Sequence, residues 1–153
     1  MGMRLVTLAV ASATLAGVSV GAAVPAGVDQ RVAITARSGV YTFVLTPLKP
    51  GAVKRDAGTA SWGSPSERTI VRGGQTVEID NVLATLTGRK GSLQLHFRIE
   101  WLNAGNGYVV GAGKWTVVRG TGVYEHVSGG GRSASSWLPR GPVSFRAEGF
   151  LKG

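Results

Sequence analysis

The chain has 153 residues, no cysteine, seventeen basic and eight acidic residues, and a formal net charge of +9. One domain remains once a targeting segment is set aside, and without disulfides or thiolate metal sites it must hold together by packing alone. Arginine outnumbers lysine twelve to five. That balance favours polyanionic company such as acidic glycans or an anionic membrane surface, or simply marks a basic exported protein. Specific nucleic-acid binding is not expected, because the basic residues are scattered singly, with no cluster beyond Lys54-Arg55 and Arg89-Lys90.

Residues 1–23 read as a signal peptide: a basic start at Arg4, an uncharged run from Leu5 to Val20, and small residues at Gly21, Ala22 and Ala23. The run is poor in large apolar residues and stops short of Pro25, which argues against a retained membrane anchor. A secreted or extracytoplasmic domain is expected over 24–153.

From Val28 onward the pattern is strands and turns. Arg31–Arg37 and Val40–Thr46 alternate and are joined through Ser38-Gly39. Pro47 to Gly51 is a loop, and Lys54–Trp62 is a weaker strand. Glu67–Arg72 and Gln75–Asp80 flank Gly73-Gly74, a two-residue hairpin signal. The apolar phase then slips: Val77 and Ile79 are followed by Val82, Ala84 and Leu86, which predicts a bulge or bend near Asp80-Asn81. Ser92–Trp101 is the cleanest strand, with Leu93, Leu95, Phe97, Ile99 and Trp101 on one face and Gln94, His96, Arg98 and Glu100 on the other.

Asn103 to Gly107 turns the chain into a strand from Tyr108 to Arg119. The Gly120-Thr121-Gly122 turn follows, then a short segment through Tyr124 and His126, and Gly129 to Gly131 release the chain into the next strand. Arg132 to Leu138 pairs briefly, Pro139 to Pro142 is a loop, and Val143 to Leu151 closes the chain. No helical periodicity of useful length occurs, and the best candidate is a single turn near Tyr124 to Val127. The fold class is therefore all-β: a single antiparallel eight-stranded barrel, closed so that no strand edge is left open.

Gly113 to Tyr124, followed by Gly129 to Gly131, resembles the barrel family of allene oxide cyclases and plant dirigent proteins. It looks still more like small exported bacterial proteins built on that barrel. The family carries a strand, a Gly-Thr-Gly turn, an aromatic after one residue and a glycine opening the next strand. Gly120, Thr121, Gly122, Tyr124 and Gly129 occupy those places. The resemblance implies an eight-stranded barrel, often a homo-trimer, with an apolar cavity for a small organic molecule. The family's catalytic positions do not map onto residues of this chain, so its activity does not carry over.

Other chemistry lacks its context. No Gly-x-Ser-x-Gly turn accompanies His96 or His126, and two histidines without cysteine make no zinc site. At Gly120-Thr-Gly122 a phosphate loop would need glycine where Glu125 stands. No cofactor or metal is expected.

The candidate ligand-binding residues are His96, Arg98, Glu100, Trp101, Trp115 and Tyr124. If the polar row of His96, Arg98 and Glu100 lines the interior, Arg98 binds a carboxylate while Glu100 or His96 moves a proton. If it faces water, it is a solvated face with cross-strand ion pairs. Trp101 and Trp115 sit in apolar strands, whereas Trp62 and Trp137 lie near loops. Three functions follow. The first is a secreted barrel holding a small apolar or amphipathic molecule. The second is a surface module binding acidic polymer through its basic exterior, Trp137 and Arg132. The third is a cyclase or isomerase acting through Arg98 and Glu100.

Overall fold

The structure is a computed structural model and describes residues 29–37, 42–49, 51, 53–141 and 143–153. The proposed signal peptide, its cleavage site and the Ser38-Gly39 turn lie outside the described residues. Nine strands follow in order: β1 (Asp29–Arg37), β2 (Thr42–Pro47), β3 (Asp56–Trp62), β4 (Ser66–Arg72), β5 (Gln75–Gly88), β6 (Gly91–Gly105), β7 (Tyr108–Gly120), β8 (Ser128–Trp137) and β9 (Val143–Lys152). All pairings are antiparallel, in the order β3-β2-β1-β9-β8-β7-β6-β5-β4, and a further β3–β5 pairing joins the sheet into a ring. Among the described residues no helix is long and apolar enough to cross a membrane.

There are nine strands rather than eight because the segment after β2 is broken at Gly63-Ser64-Pro65. Both of its halves, β3 and β4, pair with β5, so they share one position in the circuit. Proline cannot donate to a ladder, which suits that break.

The hairpin signals correspond to tight turns. Gly73 and Gly74 both have positive φ between the paired Arg72 and Gln75, and Asn106 and Gly107 do the same between Gly105 and Tyr108. Two successive positive φ values are what a strand-matching two-residue turn demands.

The expected bulge at Asp80-Asn81 is absent. The β5–β6 register runs without a shift from Val77↔Leu102 to Gly88↔Gly91. The apolar phase slips because the buried face changes. Val82, Ala84 and Leu86 share the inward face with Phe97, Leu95 and Leu93, whereas Val77 and Ile79 lie on the outer face. There the Arg72–Glu100 ion pair, reaching from β4 to β6, crosses over β5 and helps to cover them. The ladder is shifted instead between β6 and β7, at Gln94/Leu95 and Asn103/Gly105.

The strand expected at 132–138 is longer than its apolar content suggested. β8 begins at Ser128, contains all three glycines and pairs with β7 and β9. Glycine is required at Gly131, because an added Cβ would collide with the backbone carbonyl of Glu148. Lost side-chain packing there is exchanged for close backbone approach.

Inside the ring the inward residues form one core, from Val32, Ile34, Phe43 and Leu45 to Leu95, Phe97, Trp115 and Ala147. One end is plugged. The chain leaves β7 at Gly120, turns through the 3-10 segment Gly122–Tyr124, and places Tyr124 and Val127 in the core. Gly122 has positive φ and lies so close to the Lys90 carbonyl that no side chain fits. Thr121 ties the plug to β6: its N–H donates to the Ser92 carbonyl at 2.9 Å, and its Oγ1 accepts from the Ser92 N–H at 3.0 Å.

Candidate functional site

The other end of the ring is open. The last inward positions of several strands surround a cavity of about 260 Å³ lined by Ala36, Trp62, Val82, Ile99, Trp101, Val143 and Phe145, with Pro65, Gly63, Ser135, Asp80 and Arg37 at its edge. This lies just below the usual range for drug-sized ligands and suits a small molecule. Trp62, Phe97 and Phe145 form a cluster with ring centroids 5.5, 5.5 and 4.8 Å apart, two of the three pairs edge-on. Trp62 and Phe145 present this cluster to the cavity.

The Trp101 ring is fixed from two sides. Its Nε1 donates to Asp80 Oδ2 at 2.8 Å, and its six-membered ring lies against Gly111, where an added Cβ would meet it at 2.6 Å. The other oxygen of Asp80, Oδ1, is enclosed without a hydrogen-bond donor. Glu67 and Glu78 stand beside it, the three carboxylates lying within 4.8 Å of one another. The open end thus joins an apolar chamber to a concentration of negative charge.

The closed end is built the opposite way. Tyr124 Oη donates to Asp56 Oδ2 at 3.0 Å, and Asp56 also accepts from the backbone N–H groups of Ala57, Arg89 and Lys90. Burial above all, and then the charge of Asp56, push the Tyr124 phenol well above its ordinary value. Gln30, also buried, donates to the carbonyls of Lys49 and Val53 and accepts from the Val53 N–H. Every polar side-chain atom named here has a partner.

Of the six residues expected to bind ligand, Trp101 alone lines the cavity. Trp115 is buried in the core with its Nε1 on the Glu148 carbonyl at 3.3 Å, and Tyr124 belongs to the plug. His96, Arg98 and Glu100 lie on the outer face, opposite Leu95, Phe97 and Ile99. The apolar face of β6 fills the core, so the polar row is the solvated one. Glu100 is shared by Arg72 and Arg98, each at 2.9 Å. Those hydrogen bonds, Arg72 first, hold its carboxyl below the usual range.

Arg98 and Glu100 therefore cannot act on a molecule inside the ring. Trp137 and Arg132 do not share a surface either, since odd and even positions of β8 face opposite sides. Sequence reasoning missed Ala36, Val82, Ser135, Val143, Phe145 and Asp80. Their common signal is position: each lies near the same end of the ring, which emerges only once the strands are set in register.

Compared with known protein families, characterised proteins and solved structures, the chain matches none. Its function is read from its own residues.

Proposed function

We propose that this is an exported barrel of the allene oxide cyclase and dirigent type that holds a small apolar or amphipathic molecule in the chamber between Trp62, Trp101 and Phe145. The single observation that carries the reading is the asymmetry of the ring: one end is plugged by Tyr124, and the other keeps a 260 Å³ apolar cavity walled by aromatic rings. Burying an apolar molecule there releases about 25 cal/mol per Å² of apolar surface, and the fixed Trp101 ring needs little ordering. Export rests on the N-terminal pattern of residues 1–23.

The test is a titration of the domain with indole and 2-naphthol, followed by tryptophan emission and thermal midpoint. Saturable binding that raises the midpoint, and that falls at least about tenfold in Trp101→Ala, is expected. A panel of such compounds that leaves emission and midpoint unchanged, or binding indifferent to Trp101→Ala and Trp62→Ala, overturns the reading.

A further inference from the structure

The basic residues that look scattered along the chain are brought into line by the register. Arg98 of β6 lies directly opposite Lys114 of β7, and Lys114 directly opposite Arg132 of β8. All three are exposed on the outer face. Adjacent strands are about 4.8 Å apart, so this is a row of three cations crossing the sheet at right angles to the strands. Like charges directly opposite one another weaken a sheet, and no local compensation is present at its centre. Among the described residues neither Lys114 nor Arg132 makes an ion pair, although Glu148 of β9, held by two other arginines, stands directly opposite Arg132.

The surroundings extend the row. On one side Glu148 is shared by Arg146 and Arg31, and on the other Glu100 is shared by Arg98 and Arg72. Each acid is thus used up by two arginines, and the belt of Arg31, Arg146, Arg132, Lys114, Arg98 and Arg72 keeps an excess of four positive charges. On β7 and β8 the row is flanked by Ala112, Thr116, Ala134 and Gly130, all small, and on β6 by His96 and Glu100.

From this geometry we infer that the outer face of β6, β7 and β8 is a binding surface for a linear acidic polysaccharide, laid across the strands with its charged groups on Arg98, Lys114 and Arg132. A polymer suits the surface better than a bilayer. The row follows the curved outside of a ring, which a flexible chain can track and a flat membrane can touch only locally. The repeat of one cation per strand also matches a polymer carrying one charge per sugar. Single-stranded nucleic acid gains its sequence-tolerant affinity from bases stacked on a succession of aromatic rings, whereas beside the row stand one exposed phenyl ring, Phe150 opposite Gly130, and the His96 imidazole. The surface is separate from the chamber, which opens at the end of the ring.

The experiment uses heparin and polygalacturonate as immobilised probes, with poly-dT and phosphatidylserine vesicles as competitors. Lys114→Gln with Arg132→Gln is compared with Lys49→Gln with Lys54→Gln, which removes the same charge elsewhere from exposed positions. Retention that falls with salt, and an affinity at least about tenfold weaker in the first pair but within about twofold of the parent in the second, is expected for direct contact by two of the cations. Equal losses in both pairs would reduce the effect to net charge and overturn the inference. So would preference for vesicles or poly-dT over both polysaccharides, or retention indifferent to salt. Thermal midpoints of both pairs, expected to be no lower than the parent's because all four side chains are exposed and the first pair relieves like-charge repulsion, separate lost binding from lost folding.

Discussion

The two ends of the ring spend their polar residues differently. At the plugged end Asp56 takes four donors and Gln30 three bonds, all of them buried or part-buried. At the open end Asp80 holds the Trp101 ring with one oxygen and leaves the other without a donor, beside two further carboxylates. A buried carboxylate with its bonds complete fixes a structure, whereas one left incomplete costs stability at that site. The difference teaches that stability is concentrated around Tyr124 and the capacity for binding around Trp101.

The same chemical change at both ends breaks or sharpens this contrast. Asp56→Asn turns an amide NH2 toward groups that are themselves donors, so at least one hydrogen bond is lost inside the core. A destabilisation of about 1–3 kcal/mol is expected from denaturant midpoints. An unchanged midpoint would show that the plug is not held by Asp56.

A second effect is pH-dependent. Tyr124 ionises near 10 when unfolded and higher when folded. Its contribution is therefore complete below pH 10 and declines as the pH rises further, because the unfolded chain then releases a proton that the folded one retains. Urea midpoints measured on either side of pH 10 should fall, and Tyr124→Phe should flatten that part of the decline.

The smallest effect has the opposite sign. Asp80→Asn keeps an oxygen for Trp101 Nε1, replaces the donorless atom by an NH2 group, and removes one charge from the group of three carboxylates. A gain of up to about 1 kcal/mol is expected. A loss as large as that of Asp56→Asn would erase the distinction between the ends.

Much of the fold was legible in the sequence because strand alternation is a local property. Leu93 to Ile99 of β6 needed nothing beyond their own order, and Gly73-Gly74 announced its hairpin. What was not legible depended on partners remote in sequence. The phase slip after Ile79 looked like a bulge because the sequence does not reveal that β5 changes its buried face where Arg72 reaches over it to Glu100. The glycines of β8 looked like a release of the chain because their use, close approach to β9, lies in the neighbouring strand. The same reason hid the site: Trp62, Trp101 and Phe145 become one wall, and Arg98, Lys114 and Arg132 one row, only in register.

The seam between the first and last strands has a further consequence. Asp29 lies opposite Lys152, with their side chains 3.2 Å apart, at the Tyr124 end. Whatever is fused before β1 or after β9 therefore departs from the bottom of the cup. A tether, tag or surface attachment joined directly before Asp29 or after Lys152 would hold the molecule with its mouth facing outward, so immobilisation there should leave entry to the chamber unobstructed.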